Sequence, residues 1–143
     1  MPAEMVDTLD QTPGVQIQTA PSTQPKWMEM NVHQPPFDDV RVRQALNYAV
    51  DKDLLIEALY GGRGVALPGP LSPYNNFVNT SLQPYPYDPD KARSLLRAAG
   101  YGDGLKLVFD IPMAMPDEAP LLAEMLTEQL SQVGVSLEIV EHH

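Results

Sequence analysis

The side chains able to do chemistry are few and dispersed. The imidazoles are His33, His142 and His143. The last two follow Glu141 at the end of the chain and read as a purification-tag remnant, residues 142–143. His33 stands alone beside Gln34-Pro35-Pro36 and reads as a loop residue. No set of His and acidic residues has metal-ligand spacing, so neither a metal nor a cofactor is expected. The chain has no Cys, which removes thiol nucleophiles, disulfides, iron–sulfur clusters and Cys-type zinc sites. Acids pair at Asp38-Asp39 and Asp117-Glu118. Each pair opens an expected helix, where the positive end of the macrodipole favours carboxylates, so capping accounts for both without acid–base catalysis. No Ser lies in a G-x-S-x-G elbow. Gly61-Gly62-Arg63-Gly64 follows a helix instead of leading into one, the wrong side for cradling phosphate. Without a convergent acid, base and nucleophile, the residues point away from an enzyme.

One stretch has the position and chemistry of a ligand contact: Pro112-Met113-Ala114-Met115-Pro116-Asp117. It lies beyond the carboxyl end of an expected strand and before a helix, where α/β sheets bind ligands. Methionine adapts to varied apolar partners, though it plugs the edge of a core equally well. Residue chemistry alone leaves both readings open.

The elements that must position this stretch follow from periodicity and punctuation. Pro2 to Asp10 reads as a short helix. Val15 to Thr19 alternates apolar and polar like a half-buried strand, and Lys26 to Val32 is a second strand candidate that could pair with it. Asp38 caps the next helix, whose apolar face is Val42, Ala45, Leu46 and Ala49. Asp51 starts another, with a stripe of Leu54, Leu55, Ala58 and Leu59, stopped by Gly61-Gly62. Residues 63–87 have little periodicity and five prolines, and as a loop they exceed the roughly 12–15 residues beyond which loops are uncommon in compact domains. Asp88-Pro89 starts a helix to Ala99, and Gly100 ends it. Leu105, Leu107, Phe109 and Ile111 share one face of a strand. A long helix runs from Asp117 to Val133, burying Leu122, Met125, Leu126, Gln129 and Leu130 or Val133. Val135 to Val140 is the last strand, parallel to the previous one because a helix intervenes. The expected fold class is α/β, a small mixed sheet covered by helices, forming one domain over residues 1–141.

Composition limits the partners. Nineteen Asp and Glu against nine Lys and Arg give a formal net charge of −10, which speaks against nucleic acid and anionic membrane surfaces. No apolar run approaches the roughly 18 residues of a membrane span. The N-terminus has neither the basic nor the apolar region of a signal peptide.

The segment 35–52, Pro-Pro-Phe-Asp-Asp-Val-Arg-Val-Arg-Gln-Ala-Leu-Asn-Tyr-Ala-Val-Asp-Lys, resembles the signature of the extracellular solute-binding family 5, the dipeptide-, oligopeptide- and nickel-binding components of ABC importers. Tyr85 to Leu96, continuing to Ala99-Gly100-Tyr101, is similar to the family's next helix, and Gln129 to Val135 to the one after it. The resemblance implies part of the second lobe of a periplasmic-binding-protein type II fold, with the first lobe and the later part of the second missing. It implies capture of a peptide or similar solute, docking on an ABC permease, and a periplasmic or lipid-anchored extracellular location. On this chain the implied cleft wall is Met113, Met115 and Asp117, with Tyr74 and Asn75 from the long loop. Met115 and Asp117 stand where dipeptide-binding relatives place an Arg and an aromatic, so a different or more apolar ligand is implied. The rival expectation is a free-standing protein–protein interaction module without a small-molecule ligand.

Overall fold

The computed structural model describes residues 3–20, 22, 23, 25–112 and 119–142. The chain divides into two compact units: residues 1–27 with 53–84, and residues 28–52 with 85–143.

The second unit is built around α2 (Val40–Ala49), α4 (Pro89–Ala98), β1 (Leu105–Pro112), α5 (Ala119–Ser131) and β2 (Val135–His142). The Asp39 carboxylate accepts from the Arg41 N–H at 2.8 Å and caps α2. The cap is therefore Asp39 and not Asp38: Asp39 has extended backbone at the helix boundary and grips the Arg41 guanidinium, while Asp38 lies in the preceding turn. Asp88 caps α4 by accepting from the Lys91 N–H at 2.8 Å, and Pro89 takes a first-turn position where its missing N–H costs nothing. α4 ends with Gly100 at φ +92°, which lets the N–H of Tyr101 reach the Leu96 carbonyl at 2.8 Å and that of Gly100 the Arg97 carbonyl at 3.0 Å. A residue with a Cβ resists that backbone conformation.

α2 buries Val42, Ala45, Leu46 and Ala49, the expected face, and packs on α4 through Ala92 and Leu96. β1 and β2 pair in parallel, in register from Leu105 opposite Val135 to Pro112 opposite His142. Leu105, Leu107 and Ile111 are buried while Val108 on the other face is 58% exposed, so the alternation read from the sequence is the alternation of burial. α5 forms the crossover between the strands and packs on β2. Its buried face is Ala119, Ala123, Leu126, Gln129 and Leu130; the expected Leu122 and Met125 are half-buried. Ala119 and Ala123 lie in one cluster with Ile111, Phe109 and Ile139, and small residues let the helix approach the sheet closely there. Fully burying a Leu or Val stabilises by about 1.5–3 kcal/mol, so the completely buried Leu96, Leu130, Val42 and Val135 anchor this unit.

The first unit contains α1 (Ala3–Asp10), α3 (Lys52–Tyr60) from Asp53 onward, and the long loop after it. None of its described apolar side chains is buried; its one buried described residue is Ser72. The expected stripe of α3 is not a core face: Leu54 is 51% exposed, Ala58 is exposed, and Leu55 and Leu59 are half-buried. Polar ties connect its segments. Arg63 pairs with Asp7 at 2.7 Å, the Ser72 hydroxyl donates to the Ser22 carbonyl at 3.0 Å, and the Lys26 ammonium lies 5.2 Å from the centre of the Tyr60 ring.

The expected strands at Val15 to Thr19 and Lys26 to Val32 do not form. Alternation supplies two faces, but a strand also needs a partner strand, and among the described residues neither segment joins the sheet. Val15 and Trp27 are 42% and 60% exposed, so no buried face is there to fix the register. Among the described residues the sheet therefore consists of two parallel strands, without the antiparallel part expected of a mixed sheet.

Candidate functional site

Met113, Met115 and Asp117 lie outside the described residues. What is described is their frame. β1 ends at Pro112 and α5 begins at Ala119, so the stretch joins the carboxyl end of a parallel strand to the start of a helix, as expected. The frame is firm, because Ile111 and Ala119, on either side of the stretch, share one buried cluster.

Tyr74 and Asn75 belong to the first unit. The Ser72 hydroxyl accepts from the Tyr74 N–H at 3.3 Å, and the Asn75 N–H donates to the Ser72 carbonyl at 2.9 Å. Together with its bond to Ser22, this makes Ser72 the anchor of the turn. The Tyr74 side chain is 56% exposed. The Asn75 Oδ1 is buried and has no hydrogen-bond partner among the described residues. Phe77, two residues on, is fully exposed with φ +68°. Sequence reasoning missed Ser72 and Phe77. A Ser in a proline-rich loop gives no sign of a partner fifty positions away.

The cations of segment 35–52 are occupied with the backbone. Arg41 grips the Asp39 carboxylate through Nε and Nη2, and its Nη1 donates to the Ala98 carbonyl at the end of α4 at 2.6 Å. Arg43 Nη1 donates to the carbonyls of Phe37 and Asp38 at 2.6 and 3.2 Å. Lys52 Nζ donates to those of Asn47 and Tyr85 at 2.8 and 3.3 Å. These groups satisfy orphan carbonyls at helix ends and turns, so the three cations serve the fold. Hydrogen bonds from Arg41, first from its side chain and then from its N–H, hold the Asp39 carboxyl below the ordinary carboxylate range. On the exposed side of the sheet Lys106 does the same to Glu138, at 2.6 Å.

His33 is exposed, with its backbone N–H bonded to the Asn31 side chain at 3.1 Å, and β2 continues through His142. Among the described residues no group of three or more His, Asp or Glu is placed to hold a metal ion, and no helix is long and apolar enough to cross a membrane.

Comparison with known proteins gives concordant results. Residues 1–142 match the family described as bacterial extracellular solute-binding proteins, family 5 Middle. The chain is 40% identical over 126 residues to the heme-binding protein A of Haemophilus influenzae, covering 86% of this chain and 23% of that protein. It is 36% identical over 137 residues to the dipeptide-binding protein of Escherichia coli, covering 94% and 26%. The periplasmic binding protein DppA of Helicobacter pylori, solved with the peptide STSA, superposes with a TM-score of 0.88 at 26% identity, covering 99% of this chain and 27% of that one. A dipeptide-binding protein of a Pseudoalteromonas species, solved with Met-Leu, gives 0.75 at 25% identity, covering 99% and 29%. The chain thus spans about a quarter of the length of these relatives. From the signature segment through the parallel crossover to the superposition, the observations agree: this chain belongs to the bacterial extracellular solute-binding proteins of family 5.

Proposed function

We propose that the full-length protein captures a peptide or a similar small solute for an ABC importer, and that this chain, part of its second lobe, supplies one wall of the cleft between two lobes. The observation that carries the reading is the close superposition on a periplasmic binding protein holding a tetrapeptide, joined to 36% identity with a dipeptide-binding protein. The relatives are solute carriers, which favours capture over the interaction-module alternative and over catalysis. In this reading two lobes close on the solute, the closed form docks on a permease, and a separate ATPase drives transport. The protein works outside the cytoplasm, in the periplasm or on a lipid anchor.

The wall is Met113, Met115 and Asp117, with Tyr74 and Asn75 as further contacts. Methionines offer adaptable apolar surface to side chains of different shape, and the Asp offers a charge to an amino group. The test is calorimetry on the full-length protein with a panel of di- to tetrapeptides. The expected result is binding that weakens about tenfold or more in a Met113→Ala, Met115→Ala double variant, in the range of interface residues that matter. Failure of the full-length protein to bind any peptide contradicts the reading; unchanged affinity in the double variant removes these methionines from the wall.

A further inference from the structure

The chain leaves the second unit after Lys52 and re-enters it at Tyr85, and these two residues are fastened to each other. Lys52 Nζ donates to the Tyr85 carbonyl at 3.3 Å while also holding that of Asn47 at 2.8 Å at the end of α2. The Tyr85 ring stands edge-on to the Tyr48 ring, with centroids 5.0 Å apart. The Asp88 N–H donates to the Tyr48 carbonyl at 2.8 Å, and the Gln129 side chain on α5 accepts from the Asp51 N–H at 2.8 Å. Residues 47–52 and 85–88 therefore form a closed base tied to α2, α4 and α5.

What lies between the two ends differs in kind. Segment 53–84 buries no described apolar side chain, whereas the second unit holds every apolar side chain that is buried among the described residues. Local stability follows apolar burial, so the two parts are held with very different strength. Because the base is already closed, releasing the segment frees its chain entropy without separating the ends.

We infer that segment 53–84 opens separately, as an excursion, and that Lys52 with the Tyr48–Tyr85 pair is the clasp that confines the opening. The segment rearranges while the second unit stays folded. This device rests on the geometry of the base and does not depend on which solute, if any, is captured.

Hydrogen–deuterium exchange of the whole chain, read by mass spectrometry, tests it. The backbone amides of α3 exchange about 100-fold faster than those of α2, α4 and the two strands, the behaviour of a sub-global opening. In Lys52→Met, the amides of residues 47–52 and of Tyr85, Tyr87 and Asp88 accelerate about tenfold toward the excursion, while those of α5 and β2 keep their wild-type rates. Tyr85→Leu removes the ring contact but keeps the carbonyl, and accelerates the same residues to a smaller degree. It serves in place of Lys52→Met if that variant does not fold. Exchange of α3 at the rate of α2 in the wild type overturns the separate opening. Wild-type exchange at 47–52 and 85–88 in the variants overturns the clasp.

Discussion

The two units use similar residues to different ends. Both contain short helices bounded by glycine, and both contain leucine at helical spacing. In the second unit that spacing meets a neighbour: the apolar face of α2 lies against α4, and the inner face of the sheet against α5. In the first unit the leucines of α3 meet none that buries them, and Leu54 is as exposed as many polar residues. An amphipathic pattern specifies a helix and a face. Only a second apolar face turns the pattern into stability.

The largest test of this contrast is a pair of truncations at the same residue type. Leu96→Ala, in the second unit, costs about 2–5 kcal/mol in urea denaturation, because it empties a completely buried position. Leu54→Ala, in α3, changes stability by about 0.5 kcal/mol or less, as surface substitutions do. Equal losses would break the comparison. A smaller effect sharpens it: Asp88→Ala removes the acceptor that satisfies the Lys91 N–H and costs about 1 kcal/mol, with the loss visible in the protection of the first turn of α4.

The smallest effect is set by pH. The folded-state pKa values of Asp39 and Glu138 are both lowered, by Arg41 and Lys106. A depressed carboxyl contributes stability above its unfolded value of about 4, and the contribution is lost as pH falls through the folded value. The urea midpoint therefore decreases on acidification below about pH 4. Asp39→Asn keeps a capping oxygen and removes part of that dependence; because both pairs are exposed, the change is slight. An unchanged acid limb in this variant would show that the Asp39–Arg41 pair plays no part in it.

Much of the second unit was legible in the sequence for reasons these residues make plain. Asp88-Pro89 and Gly100 punctuate α4 through local chemistry, and the faces of α2 and β1 are regular enough to predict burial residue by residue. The strands expected at Val15 to Thr19 and Lys26 to Val32 were misread because alternation is a local signal and strand pairing is not. The choice of Asp39 over Asp38 depended on where Arg41 reaches, and the buried alanines of α5 on how closely that helix approaches the sheet. For the candidate site, the position of residues 113–117 between the carboxyl end of β1 and the start of α5 was legible in the order of elements, whereas the anchoring of Tyr74 and Asn75 by Ser72 needed a long-range contact no local pattern reveals.

The central claim is that this chain is one wall of a cleft whose other wall lies elsewhere in a longer protein. Parallel titration of the isolated chain and of the full-length protein with the same dipeptide tests it most directly. The account predicts saturable binding by the full-length protein and weak or no binding by the isolated chain. Equally tight binding by both would contradict it, since a complete pocket would then reside in this chain alone.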